Sequence, residues 1–216
     1  MKYRCFLLDW DGCLADTLSL WVNTYLAVYK KWGHVVTVED IIRLSWGNNE
    51  QGPKNVGIKD YLQCWEEIAA TVRKDIESVQ LHEHARELLI KLRQSDCKVA
   101  IVTSSERRLL EPALRKHELE QYIDVVITEG EVTEPKPNPE MLLLAMRKLG
   151  ANPKQTIVIG DSHKDILAGK NAGVATGLVL HEDNRPFYDF DKLKKTDPDY
   201  VFRNLRDVEK VLFSNS

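Results

Sequence analysis

Near the start of the chain an apolar run ends in two aspartates. It reads YRCFLLDWDG, with Asp9 and Asp11 separated by Trp10 and followed by Gly12. Side chains two apart on an extended segment share a face, and Gly12 permits a sharp turn after them. Two like charges that lose water together are costly unless a cation sits between them. The pair therefore reads as a metal site. Three further stretches place reactive groups where apolar runs end. KVAIV leads into Thr103 and Ser104. Lys136 stands between two prolines in EPKPNPE. TIVIG is followed by Asp161, Ser162 and, four residues past Asp161, Asp165.

These groups need elements that bring them together. Apolar runs predict strands at 3–9, 98–104, 124–128, 156–160, 174–180 and 199–202. Helical spacing predicts helices over 17–32, 59–78, 82–95, 105–117 and 204–213. A short helix through Leu44 starts at a Thr37 cap. The helix over 138–150 has Asn138 as cap, Pro139 in its first turn and Gly150 past its end, and 164–173 closes at Gly173. Residues 45–58, rich in Gly, Asn and Pro, read as a loop, as does the polar stretch running to Thr196. His82, His84 and His117 fall in predicted helices without metal-ligand spacing, and His163 reads as a surface histidine. Uninterrupted apolar strands alternating with helices imply an α/β fold, a Rossmann-like parallel sheet covered by helices on both faces. Ligands of such sheets lie beyond the carboxyl ends of the strands, which is where the acids, hydroxyls and lysine fall. Residues 17–79 contain helices only. They predict an inserted all-helical cap domain over the site, with 1–16 and 80–216 forming the core.

Composition narrows the function classes. The 216 residues are 43% hydrophobic and 29% charged, with a net charge of −3. That gives no electrostatic case for nucleic acid or an anionic membrane surface. Cys5, Cys13, Cys64 and Cys97 form no CxxC pair and read as reduced thiols of a cytoplasmic protein. The first residues read as neither signal peptide nor membrane span, because Asp9 and Asp11 interrupt the only apolar patch.

DWDGCLADT, VTSS, KPNPE and GDSHKD, in that order, resemble the four ordered motifs of the haloacid dehalogenase-like hydrolases, chiefly phosphatases. The likeness covers the whole chain, and GDSHKDILAGKNAG is most similar to phosphoglycolate phosphatase-like members. The resemblance implies that Asp9 attacks phosphorus and becomes an aspartyl phosphate, and that Asp11 protonates the leaving oxygen and then activates water. It implies Mg²⁺ held by Asp9, the backbone carbonyl of Asp11 and Asp161, with Asp165 orienting a metal-bound water. Thr103 and Ser104 would bind phosphoryl oxygens, and Lys136 would stabilise charge on Asp9 and the transferring group. The substrate implied is a small phosphorylated metabolite, phosphoglycolate-like or a sugar phosphate. Cys13 departs from the family's usual threonine or valine and adds an oxidisable thiol near the site.

Other members of the superfamily carry different chemistry. Carbon–halogen and phosphonate-cleaving members lack the second acid, which this chain has in Asp11. Phosphonate hydrolases also use a cap lysine, and the spacing of Lys54 after Gly47 matches theirs poorly. Sugar phosphomutases usually carry a histidine twelve residues after the nucleophile, where this chain has Trp21. The loop 45–58 is expected over the leaving group, with Asn48, Asn49 and Lys54 as its polar contacts.

Overall fold

In the computed structural model, which describes residues 2–213, six strands form one parallel sheet. They are β1 (Cys5–Leu8), β2 (Lys98–Thr103), β3 (Val125–Thr128), β4 (Thr156–Gly160), β5 (Ala175–Val179) and β6 (Tyr200–Phe202), in the order β3-β2-β1-β4-β5-β6. The first strand in sequence is thus central, and the strand order reverses beside it. Alternation sorts the side chains. Phe6, Leu8, Val99, Ile101, Ile157 and Ile159 face one layer of the core, while Cys5, Leu7, Ala100, Val102 and Val158 face the other. Both sides are dry, so the strands read as continuous apolar runs. Each such Leu or Ile, fully buried, contributes roughly 1.5–3 kcal/mol.

The first face is covered by α5 (Ala85–Gln94), α6 (Arg107–Lys116) and α10 (Leu205–Phe213), through Leu88, Leu92, Leu109, Leu205 and Leu212. The second is covered by α7 (Glu140–Leu149) and α8 (His163–Ala172), through Met141, Leu142, Ala145 and Ala168. Between β1 and α5 lie only helices: α1 (Leu18–Lys31), α2 (Val38–Leu44), α3 (Gln51–Asn55) and α4 (Tyr61–Asp75), the last continuing as a 3₁₀ turn to Ser78. Here α1 packs on α4 and α2. The α2 start is a capping box, in which Thr37 Oγ1 accepts from the Asp40 amide and Asp40 Oδ2 accepts from the Thr37 amide.

Three expectations are corrected. The stretch 45–58 is not all loop: α3 forms in it despite its Gly and Pro, because Gly52 and Pro53 are buried and packing outweighs propensity. A short helix, α9 (Phe190–Lys194), lies within the polar stretch before Thr196. Its cap is Asp189, which accepts from the Asp191 and Lys192 amides, and it buries Phe190 and Leu193. His82 and His84 precede α5 and His117 follows α6, so none lies inside a helix. No helix among the described residues is long and apolar enough to cross a membrane.

Candidate active site

Strand order builds the site. Leu8 is level with Ile101 on one side and Ile159 on the other, so the residues just beyond β1, β2 and β4 emerge on one rim. Asp9 therefore sits between Thr103 and Asp161. Lys136 arrives from the loop after β3. Its Nζ donates to Asp9 Oδ1 at 2.7 Å, Asp165 Oδ1 at 2.6 Å and the Val102 carbonyl at 3.0 Å. Lys136, Asp9, Asp161 and Asp165 are all buried. Two glycines permit this crowding. A Cβ at Gly12, whose φ is +78°, would stand 2.1 Å from Asp161 Oδ2. One at Gly160 would stand 2.2 Å from the Asp165 carboxyl carbon. No side chain other than hydrogen fits at either position.

The acids outnumber the cation. Asp9, Asp161 and Asp165 offer carboxylate oxygens that lie within 4.8 Å of one another, and among the described residues only Lys136 forms an ion pair with any of them. Burial, with Asp165 adding to it against the pull of Lys136, pushes the Asp9 carboxyl up to about 7. Burial and the charges of Asp9 and Asp165 push Asp161 well above the usual carboxylate range. Burial would by itself lower the Lys136 ammonium, but Asp165 and Asp9 outweigh it and hold the group charged. A buried all-oxygen set short of positive charge fits a hard divalent cation such as Mg²⁺. The free acceptors say which residues would hold it. Asp165 gives Oδ1 to Lys136 and Oδ2 to the Ser162 hydroxyl and amide. Asp9 Oδ2 accepts no hydrogen bond among the described residues, and Asp161 Oδ2 has only Asn184 Nδ2 at 3.4 Å. Asp9 and Asp161 are thus free to ligate, while both oxygens of Asp165 are already engaged.

Asp11 is held apart from this cluster. Its Oδ2 accepts from Ser105 Oγ at 2.6 Å and Thr103 Oγ1 at 3.3 Å, and its Oδ1 from Trp21 Nε1 at 2.9 Å. Thr103 Oγ1 in turn accepts from the Ser105 amide. Ser104 lines the cleft, and its carbonyl accepts from Asn49 Nδ2 at 2.9 Å. Asn49 also lines the cleft, whereas Asn48 does not. Asn48 turns inward, donating to the Leu44 carbonyl and accepting from Lys164. Lys54 is placed away from the site, its Nζ 5.3 Å above the Tyr61 ring.

Three residues at the site were not singled out in sequence. Ser105 is one past the quoted hydroxyls and is the shorter contact to Asp11. Trp21 stands where sugar phosphomutases usually carry histidine, and its indole N–H, this close to a carboxylate, is a specific donor. Lys164 lay inside GDSHKD, next to Asp165, and that placement was a usable signal. Its Nζ donates to the Trp46 and Gly47 carbonyls and to Asn48 Oδ1, joining α8 to the loop after α2. The Cys13 expectation is corrected. The thiol is fully buried, donates to the Ile159 carbonyl, and is pushed well above its ordinary pKa by burial and the nearby acids. A thiol so placed is not reactive.

A parallel α/β core with an acid cluster and a buried lysine at the central strand ends suits phosphoryl chemistry. The chain belongs to the haloacid dehalogenase-like hydrolases, whose family model matches residues 6–179. It is 32% identical over 223 residues to pyrophosphatase PpaX of Halalkalibacterium halodurans, with 98% of each chain covered. Its fold is similar to that of a predicted phosphoglycolate phosphatase from Haemophilus somnus, with a TM-score of 0.84, 19% identity and 98% of each chain covered. It is also similar to that of β-phosphoglucomutase from Clostridium difficile, with a TM-score of 0.82, 18% identity, and 99% and 95% covered.

Proposed function

We propose that this chain is a Mg²⁺-dependent phosphatase that hydrolyses a small phosphate monoester through an aspartyl phosphate on Asp9. Residues 17–79 act as a cap over the core formed by 1–16 and 80–216. The observation that carries the reading is the state of Asp9. One oxygen is pinned by Lys136, the other accepts no hydrogen bond, and both lie at the rim where Thr103 and Ser104 can receive phosphoryl oxygens. The Asp9 carboxylate attacks phosphorus and the bond to the leaving oxygen breaks. Asp11, on the other side of the cleft, gives that oxygen its proton. Water then attacks phosphorus and gives a proton to Asp11, phosphate leaves, and the Asp9 carboxylate is restored. Lys136 holds Asp9 in place and offsets charge on the transferring group. Asp9, Asp161 and the Asp11 carbonyl would hold the Mg²⁺, which would neutralise phosphoryl oxygens. Asp165, with both oxygens engaged by Lys136 and Ser162, anchors Lys136.

A second reading, a phosphomutase, is disfavoured by Trp21. Its indole donates to Asp11 and, unlike imidazole, has no site that can accept a proton. Phosphate release from a panel of small monoesters tests the proposal, with Mg²⁺ and with EDTA. Metal-dependent release is expected. Label passing to a second sugar instead of water would replace hydrolase with mutase.

A further inference from the structure

The leaving-group side of the cleft is aromatic and carries no available positive charge. Its wall on the helical insert is Trp21, Tyr25 and Trp46. Trp21 lies parallel to Trp65, stacks on Tyr25 at 6.0 Å and meets Trp46 edge-on at 6.5 Å, so the three rings that line the cleft are one braced surface. Tyr25 and Trp21 are buried, and Trp46 keeps part of its ring open.

Among the described residues, two cations line the cleft, Lys136 and Lys164, and no arginine does. Neither lysine has a donor to spare. Lys136 directs its three protons at Asp9, Asp165 and the Val102 carbonyl. Lys164 directs its three at the Trp46 and Gly47 carbonyls and at Asn48 Oδ1, and burial lowers it to about 8. Lys54, the one cation of the loop 45–58, lies over Tyr61. A second anionic group on the substrate would lose water here and gain no ammonium or guanidinium in exchange. A ring with a flat apolar face would gain stacking area.

We propose that the substrate is the phosphate monoester of an uncharged, ring-bearing alcohol, a sugar or an aryl alcohol, and that the site discriminates against leaving groups that carry a second negative charge. This rests on the phosphatase reading and narrows it. It separates this chain from what the name pyrophosphatase says of its relative.

The test is kcat/KM with saturating Mg²⁺ for phenyl phosphate and glucose 6-phosphate, set against pyrophosphate, phosphoglycolate and fructose 1,6-bisphosphate. At least one uncharged ring ester is expected to exceed every anionic one by tenfold or more. The two ring esters tell aryl from sugar. Trp46→Ala is expected to lower kcat/KM for the better ring ester about tenfold while changing pyrophosphate and phosphoglycolate less than threefold. Pyrophosphate, phosphoglycolate or the bisphosphate as best substrate would overturn the inference and leave the phosphatase reading standing. An equal loss on all esters in Trp46→Ala, with an unchanged melting temperature, would also overturn it. No release from any ester would overturn the phosphatase reading and this inference together.

Discussion

Asp9→Asn gives the sharpest separation of stability from catalysis. The substitution keeps shape and removes one of three crowded carboxylates. Moving a buried carboxyl from its ordinary 3.8 to about 7 corresponds, by linkage, to about 4 kcal/mol. The sign follows from proton binding. Between about pH 4 and pH 7 the native state holds a proton on Asp9 that the unfolded chain has lost, so stability falls as pH rises through that window. The full cost is present above about pH 7. Asparagine, neutral like the protonated acid, removes this cost, and the pull of Lys136 is already counted in it. In EDTA at pH 8 the variant is therefore expected to be more stable by about 4 kcal/mol, or roughly 8–16 °C in Tm for a chain of this size. At pH 4 the difference should shrink below about 1 kcal/mol, because wild-type Asp9 is then protonated in the native state and partly so in the unfolded chain. Added Mg²⁺ should raise the wild type more than the variant, which lacks a carboxylate ligand. Turnover of any phosphate ester should be lost at every pH. Thermal unfolding across pH 4–8, with EDTA and with Mg²⁺, reads all of this. A variant less stable than wild type in EDTA at pH 8 would refute the electrostatic account, and retained turnover would refute the nucleophile.

Trp21→Phe keeps most of the ring stack but deletes the donor to Asp11 Oδ1; a hydrogen bond to a charged group is worth about 1.5–3 kcal/mol. A fall in kcat of about tenfold or more with KM within threefold is expected in steady-state assays, and an unchanged kcat would mean that Ser105 and Thr103 suffice. Lys54→Ala should leave KM unchanged across several esters, since the ammonium lies over Tyr61 and outside the cleft. A rise beyond threefold would return Lys54 to the substrate.

The core was legible because each of its strands is buried on both faces. Such strands appear in sequence as unbroken apolar runs, and the reactive residues stand where the runs stop. Asp9, Thr103, Lys136 and Asp161 could be placed on one rim from the alternation of strands and helices, and their roles came from the resemblance. What sequence could not show was how acceptors are divided inside the rim. That Asp165 spends both oxygens on Lys136 and Ser162 depends on distances below 3.3 Å between residues far apart in the chain. The stretch 45–58 was misread for the converse reason. Gly52 and Pro53 argue for a loop, and only their burial against Ser45 and its neighbours makes a helix turn there. A loop would leave Lys54 over the leaving group, and the turn of α3 carries it to Tyr61 instead.

Adjacent residues of α8 connect the two halves of the cleft. Asp165 reaches into the acid cluster through Lys136, while Lys164 reaches the insert through three hydrogen bonds. Each of those bonds is worth about 1 kcal/mol net. Trp65 Nε1 donating to Glu106 and Asn49 donating to the Ser104 carbonyl add to them, and Leu18 of the insert shares an apolar cluster with Ile166 and Leu178 of the core. The polar contacts exchange with water when broken, unlike the apolar contacts that hold α7 and α8 on the sheet. The rim that positions Asp9, Lys136 and Asp161 is built on buried strands, and the wall that carries Trp21 and Trp46 is joined to it both by these polar bonds and by shared apolar packing.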